Sequence, residues 1–185
     1  MVDDVLSETR EAMKKAVEAL QHEMASVRTG RASTHLLDHL RVEYYGSQVP
    51  VNQVANVGAP EPRLLTIQPW DKSAIPAIER AIRESNLGLN PANDGTTIRL
   101  PIPQLTEDRR KELVKVVRHY GEECRVSVRN ARRDANEMLK DAQKEGDIPE
   151  DDAKRATEKV QEFTNEYIAH IDAALKAKEA EIMEV

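Results

Sequence analysis

The chain has 185 residues, 39% of them hydrophobic and 32% charged, with a formal net charge of −6; this composition is typical of a helix-rich globular protein with its few apolar residues on helical stripes. No apolar run approaches the roughly 20 residues of a membrane span, and the first four residues lack the basic and apolar regions of a signal peptide, so we expect a cytoplasmic protein that enters no membrane. The single cysteine, Cys124, excludes an intrachain disulfide and agrees with a reducing compartment.

The N-terminal segment has the apolar period of an amphipathic α-helix. Leu6, Met13, Leu20 and Val27 recur every seven residues, which predicts a helix over residues 3–27. At about 1.5 Å per residue, this helix is roughly 40 Å long. Such a helix is not stable alone, so we expect it to bury its stripe in a bundle with other helices.

Residues 31–104 differ in composition from the segments on either side. Eight of the nine prolines lie between residues 50 and 103. Short runs typical of strands occur at residues 40–45, 64–67 and 97–100. Turn-forming residues separate them at Gly46, residues 58–60 and residues 93–95. One short helix is predicted between Ser73 and Leu87.

That short helix has Ile75, Ile78 and Ile82 on one face, and Gly88 is its predicted C-terminal stop. We therefore predict a small mixed α/β domain over residues 31–104, inserted into a helical domain of residues 1–30 and 105–185. The chain must cross between the two near residues 29–32 and 101–105. A double crossing restricts twisting and bending, but its small contact area still permits rigid-body motion.

The second long helix, predicted over residues 106–144, has two stripes at helical spacing. The apolar stripe consists of Leu113, Val117, Tyr120, Cys124, Val128, Ala131, Ala135, Met138 and Ala142. An arginine row consists of Arg118, Arg125, Arg129, Arg132 and Arg133. At about 100° per residue, the two stripes are centred roughly 140° apart, and most acids of this helix occupy a third sector. This helix is therefore expected to pack on one side and to present guanidinium groups on another.

Phosphate is the expected ligand of the arginine row. Residues 105–145 have 11 Lys and Arg against 9 Asp and Glu, whereas residues 146–185 have 5 against 11, so the overall acidity comes mostly from the C-terminal segment. Charged helix faces are often solvated and linked by i,i+4 pairs, but no acid lies four residues from Arg132. Arginine suits bidentate phosphate binding, and the row has no aromatic neighbour for base stacking. Recognition of a nucleic-acid backbone is the interpretation we favour.

The third long helix is predicted over residues 150–183. Gly146 and Pro149 mark the break before it, and three acids follow at its positive end. Its apolar stripe consists of Ala153, Ala156, Val160, Phe163, Tyr167, Ile171, Leu175 and Ile182. Three such helices predict a long, narrow bundle.

Catalytic motifs are largely missing. The seven glycines form no phosphate-binding loop, and His35 and His39 lack a third metal ligand. Cys124 lies within the apolar stripe, which favours a buried small side chain over a nucleophile. We expect no enzyme activity, no metal and no cofactor.

Two alternatives remain open at this point. One is a helical adaptor that binds protein partners, and the other is an enzyme with its site in residues 31–104. Phosphate contact predicts an affinity that falls steeply with salt, whereas a hydrophobic adaptor predicts little change.

Several motifs together resemble the bacterial ribosome recycling factor family, in order and over essentially the whole chain. These are RTGRA at residues 28–32, VEYYG at 42–46, Asp71 at a helix start, LGLNP at 87–91, LTE and RRK within 105–111, and RVSVRNARRDA at 125–135. The resemblance implies an L-shaped protein, with a three-helix bundle and an inserted β/α/β domain. It also implies binding to the post-termination ribosome. With elongation factor G and its GTP hydrolysis, such proteins separate the subunits, so that messenger RNA and deacylated transfer RNA leave. We expect a monomer.

The resemblance also implies roles for individual residues. Arg28, Arg31, Arg129 and Arg132 match positions that face large-subunit ribosomal RNA, and we include their neighbours Arg125 and Arg133. The implied hinge consists of Gly30, Arg31, Pro103, Gln104 and Leu105. Gly121 and Cys124 occupy positions where the family leads us to expect alanine. Gly121 is expected to loosen its helix by up to about 1 kcal/mol.

Overall fold

The computed structural model describes residues 1–184 and has three long helices and a small sheet domain, so the predicted α+β class is confirmed. The helices are α1 (Val2–Ala25), α2 (Ile75–Glu84), α3 (Glu107–Lys144) and α4 (Glu150–Met183). The strands are β1 (Arg41–Tyr44), β2 (Ser47–Pro50), β3 (Ala55–Glu61), β4 (Leu64–Pro69), β5 (Ala92–Asn93) and β6 (Ile98–Pro101). Met1–Thr29 and the chain from Glu107 form a helical unit, and Gly30–Thr106 form an α/β unit.

The three helices of the helical unit begin and end within two residues of their predicted bounds. A short link at residues 145–149 makes α4 return antiparallel to α3. Gly146, at a φ of +82°, closes α3 with a Schellman motif. In this motif the Gly146 N–H donates to the Gln143 carbonyl at 3.1 Å and the Asp147 N–H donates to the Ala142 carbonyl at 2.9 Å. Three acids then occupy the first turn of α4, as predicted.

The buried face of α3 follows the predicted stripe except at Met138, Tyr120 and Ala131, and Ala131 is only partly buried. Met138, predicted to be buried, is 48% exposed, and Leu139 is buried in its place. Leu139 belongs to an apolar cluster that includes Val5 of α1. Tyr120 is only partly buried, whereas Gly121 is buried. Steps of three and four residues fit the helical period equally well, so the neighbouring helices decide which residue faces the core.

Gly121 allows α3 to approach α4 closely. A Cβ atom added at Gly121 would lie 2.5 Å and 2.7 Å from the two terminal carbons of Leu175 and 3.0 Å from its Cγ. Leu175 is itself buried, so its side chain has little space to move away. The expectation that Gly121 merely loosens α3 was therefore incomplete, because its missing side chain is also what accommodates Leu175.

We predict that Gly121→Ala destabilises the protein, although alanine favours the helix by about 1 kcal/mol. Overpacking a core costs roughly 1–3 kcal/mol, so the expected net loss in unfolding free energy is on the order of 1 kcal/mol. Urea unfolding followed by circular dichroism measures it. In a Leu175→Ala background the same substitution is expected to be neutral or stabilising. A Gly121→Ala variant more stable than the parent would contradict this packing argument.

The α/β unit consists of the hairpin β1–β2, the antiparallel sheet β3–β4–β6–β5 and the helix α2. Ile75, Ile78 and Ile82 of α2 are buried, as predicted. Their core also contains alternate residues of the central strands β4 and β6. These residues are Leu65, Ile67, Ile98 and Leu100.

Two predictions in this unit were wrong, one about the place of a turn and one about the end of a helix. Residues 58–60 form no turn, because they lie in β3, at an irregularity between Gly58 and Glu61, and β3 is an edge strand that tolerates Pro60. Helix α2 ends at Glu84, before Gly88, because the backbone of Ser85 is extended and its hydroxyl donates to the Ile82 carbonyl at 2.6 Å.

The remaining predicted turns are present. Tyr45 and Gly46 both have positive φ, at 49° and 78°, as a tight two-residue hairpin turn requires. The turn after β5 is held by Asp94, whose carboxylate accepts the N–H groups of Thr97 at 2.8 Å and Thr96 at 3.0 Å. These hydrogen bonds lower the pKa of Asp94 to about 2.

Candidate nucleic-acid interface

Two arginines of the row on α3 form ion pairs with α4. The Arg118 Nε atom lies 2.8 Å from Glu179 Oε1, and Arg125 Nη2 lies 2.5 Å from Asp172 Oδ1. A second contact joins Arg125 to Glu122, at 3.4 Å. The Arg125 side chain is 25% exposed, the lowest value among the paired arginines of this row.

The expectation of an unpaired arginine row therefore needs correction. That expectation depends on acids four residues away on the same helix, and the observed partners lie at other positions. Asp172 and Glu179, the partners of Arg125 and Arg118, belong to α4. Glu122 lies on α3, three residues before Arg125 and seven residues before Arg129. Its Oε1 atom is 3.3 Å from Arg129 Nη1. The antiparallel return of α4 brings these acids to α3, which intrahelical spacing does not reveal.

The opposite end of the row has a different environment. Arg132 is partly buried, and its Nη1 atom donates to the amide oxygen of Gln161 at 3.3 Å. Within residues 1–184, no carboxylate lies within 4.0 Å of Arg132. Arg133 contacts only the adjacent Asp134 in the described chain, with both side chains more than half exposed, so this pair is weak.

An open groove of about 340 Å³ lies between α3 and α4 at this end. Its α3 side consists of Arg129 and Arg132. Its α4 side consists of Gln161, Thr164, Asn165, Ile168, Ala169 and Asp172. We call it the arginine groove. It combines two guanidinium groups with amide side chains, and its one carboxylate, that of Asp172, pairs with Arg125. Guanidinium groups beside amides suit a phosphate in a polar backbone.

Sequence reasoning identified the arginines of this groove but missed Gln161 and Asn165. A signal was available, because Arg118, Arg125 and Arg132 are spaced by seven residues, as are Glu179, Asp172 and Asn165 on α4. Because α3 and α4 are antiparallel, this spacing places the residues opposite each other at three successive levels, which we call rungs. In the first two rungs, arginine pairs with a carboxylate. The third rung has the amide residue Asn165, and the observed partner of Arg132 is Gln161, four residues before it.

Arg28 and Arg31, the other two predicted contacts, are in different units. Arg28 follows α1 in the helical unit and Arg31 lies near the start of the α/β unit. Both residues are exposed.

The two connections between the units have defined anchor points. Thr29 donates through Oγ1 to Glu181 of α4 at 3.0 Å, and the Ala32 N–H donates to the Pro62 carbonyl at 2.6 Å. Gly30 and Arg31 lie between these two anchors. On the second connection, the Ile102 N–H donates to the Arg63 carbonyl at 2.8 Å, so the turn between β3 and β4 holds both connections.

Gly30 has a φ of +75°, a conformation that favours glycine. A Cβ added there would lie 3.1 Å from Cγ of Leu105, so the two connections also contact each other within the α/β unit. The predicted hinge residues Gly30 and Leu105 thus lie together.

The groups considered for other chemistry have ordinary structural surroundings. Cys124 is buried, and burial raises the pKa of its thiol. His35 Nδ1 lies 3.1 Å from Asp38. Residues 1–184 contain no group of three His, Cys, Asp or Glu side chains placed to hold a metal ion. Among the helices described, none is long and apolar enough to cross a membrane.

Comparison with known proteins identifies the family. The family described as ribosome recycling factor matches residues 20–183. Proteins named ribosome-recycling factor from Heliobacterium modesticaldum, Syntrophomonas wolfei and Bacillus subtilis are 57%, 56% and 55% identical over 185 residues, with 100% of both chains covered. This chain belongs to the ribosome recycling factor family.

Solved structures agree with this family. The solution structure of a ribosome recycling factor has a TM-score of 0.77 and 48% identity, covering 100% of this chain and 98% of that one. A second structure shows the T. thermophilus ribosome recycling factor and the E. coli elongation factor G bound to the E. coli post-termination complex, with a TM-score of 0.64, 50% identity and 100% of both chains covered. The family resemblance predicted from the motifs is therefore confirmed.

Within this ribosome recycling factor family member, we predict that Arg125 contributes more to stability than Arg132 does. Arg125→Ala removes a partly buried ion pair between α3 and α4, which is expected to cost about 0.5–1 kcal/mol of unfolding free energy. Arg132→Ala removes only a contact with a neutral amide and is expected to cost less. Urea unfolding of Arg125→Ala, Asp172→Ala and the double variant measures the coupling. Independent, additive effects of the two substitutions would contradict this assignment.

Proposed function

We propose that this protein recycles ribosomes. It binds the large subunit of the post-termination ribosome through the arginine groove. With elongation factor G and GTP, it then promotes separation of the subunits and release of messenger RNA and deacylated transfer RNA. The protein does no covalent chemistry, and it acts as a cytoplasmic monomer. The observation that carries the proposal, together with family membership, is the pair Arg129 and Arg132 at the rim of a groove where Arg132 has no carboxylate partner among the described residues.

The charge of Arg132 supports binding to an RNA backbone. A guanidinium that is not paired with a carboxylate keeps its full charge for an external phosphate. Arg129 contacts Glu122 at 3.3 Å, and Glu122 also contacts Arg125, which pairs in addition with Asp172. Two carboxylates therefore compensate these two arginines. Among the described residues, Arg132 is the arginine of this row that has no carboxylate partner. Arg28, Arg31 and Arg133 are proposed as additional phosphate contacts.

We predict that Arg132→Ala weakens binding to large ribosomal subunits by about 1–3 kcal/mol, the value of a charge-assisted contact. The slope of log affinity against log salt concentration is expected to become shallower by about one. Arg155→Ala is the matched control. It removes an exposed arginine of α4 that pairs with Asp152, about 120° around that helix from Gln161.

Sedimentation binding assays at several salt concentrations measure both quantities. Circular dichroism shows whether the variants are folded. An Arg132→Ala variant with parental affinity and parental salt slope would contradict the proposed interface. Affinity that hardly changes with salt in every variant would instead support a hydrophobic adaptor.

The second part of the proposal concerns motion. The domains, residues 1–30 with 105–185 and residues 31–104, are proposed to move relative to each other during subunit separation. The hinge consists of Gly30, Arg31, Pro103, Gln104 and Leu105. Support comes from the anchors at Thr29 and Ala32, which confine the first connection to two residues. The anchor of the second connection at Ile102 and the positive φ of Gly30 add to this support.

We predict that Gly30→Pro largely preserves ribosome binding but slows separation of the ribosomal subunits. Proline fixes φ near −65° and cannot adopt the observed +75°, so it both changes and stiffens the first connection. The variant is expected to bind ribosomes within a few-fold of the parent and to split them slowly with elongation factor G and GTP. Gly88→Pro is the control, because Gly88 also has a positive φ, +66°, in the loop after α2. Splitting at the parental rate by folded, bound Gly30→Pro would show that the protein acts as a rigid wedge.

A further inference from the structure

We propose that Gln161 of α4 is a positioning residue that holds the Arg132 guanidinium in place for an RNA phosphate without neutralising its charge. This inference rests on the proposed function, because it assigns how the arginine groove binds its ligand. It places part of the binding site on α4, whereas the motifs that indicate binding lie on α3.

Two hydrogen bonds connect Arg132 of α3 with Gln161 and Asn165 of α4. Arg132 Nη1 donates to Gln161 Oε1 at 3.3 Å. The amide nitrogen of the same glutamine, Nε2, donates to Asn165 Oδ1 at 2.9 Å. Because the amide of Gln161 has one donor end and one acceptor end, the contact with Asn165 turns its oxygen towards Arg132.

The other arginines of α3 that contact α4 have charged partners. Arg118 and Arg125 meet carboxylates, Glu179 and Asp172, and their charges are compensated within the protein. Arg132 contacts the neutral amide of Gln161 instead. A neutral partner orients a guanidinium through one hydrogen bond and leaves its charge and its other N–H donors available to a ligand.

Holding the Arg132 guanidinium in place lowers the free energy needed to order it on binding. A long arginine side chain has many rotamers, and ordering it on binding costs free energy. A guanidinium already held at the rim of a groove avoids part of this cost. The groove is open, and its volume of about 340 Å³ leaves room for a backbone phosphate next to Arg129 and Arg132.

The experiment combines substitutions of Gln161 with Arg132→Ala, using purified large ribosomal subunits as the probe. Gln161→Met keeps the side-chain length but removes the hydrogen bond. It is expected to weaken binding about threefold to tenfold with an unchanged salt slope, because Arg132 keeps its charge. Gln161→Glu places a carboxylate beside Arg132. It is expected to weaken binding by about tenfold or more and to make the salt slope shallower by about one.

A double-mutant cycle tests positioning itself. If Gln161 acts through Arg132, Gln161→Met has no further effect in the Arg132→Ala background. Gln21→Met and Gln21→Glu are the controls, because Gln21 is an exposed glutamine of α1. Thermal unfolding of all variants is expected to stay close to that of the parent.

The outcomes distinguish this inference from the proposed function. If Arg132→Ala weakens binding but both Gln161 variants bind like the parent, the inference is overturned and the arginine interface stands. Additive effects of Gln161→Met and Arg132→Ala also overturn it, since Gln161 then contacts the ribosome independently. If Arg132→Ala binds like the parent, the proposed interface itself fails.

Discussion

The packing of α4 against α3 governs both the stability of the bundle and the chemistry of its surface. Gly121 has no side chain where Leu175 packs, and the two helices therefore approach closely at that level. The same register sets which residue of α4 faces each arginine of α3. Carboxylates face Arg118 and Arg125, whereas the amide of Gln161 faces Arg132. A change in helix register would therefore alter the core and the distribution of surface charge together.

This coupling gives one arginine row two different environments. Towards one end, the guanidinium groups hold two helices together through ion pairs of modest energy. Towards the other, the Arg132 guanidinium contacts a neutral amide and has no carboxylate partner among the described residues. Arginine suits both environments because its planar group binds a carboxylate or a phosphate with similar geometry.

Much of the fold could be predicted from the sequence, because the relevant signals are local. The helical period places α1, α3 and α4 within two residues of their ends, and the spacing of Ile75, Ile78 and Ile82 predicts the buried face of α2. The errors arise where tertiary neighbours decide. Leu139 and not Met138 is buried because of the cluster around Val5. Residues 58–60 lie in an edge strand because β4 pairs with Gly58 and Glu61, on the two sides of the irregularity.

The candidate site shows the same division. The arginines are visible as a stripe on one helix, and the motif resemblance indicates which of them face RNA. Their partners Asp172, Glu179 and Gln161 lie on another helix, 29 to 61 residues away along the chain. Only the antiparallel register brings them together, so no intrahelical rule reveals which arginine retains an uncompensated charge. The structure supplies that information.

A structure of this protein bound to the large ribosomal subunit would test the central claim most directly. We expect a ribosomal RNA phosphate within hydrogen-bonding distance of the Arg132 guanidinium in the arginine groove, with Gln161 still accepting a hydrogen bond from Arg132. Arg118 and Arg125 are expected to keep their carboxylate partners on α4. Ribosomal RNA bound to another face of the bundle, with the arginine groove exposed to solvent, would contradict this account.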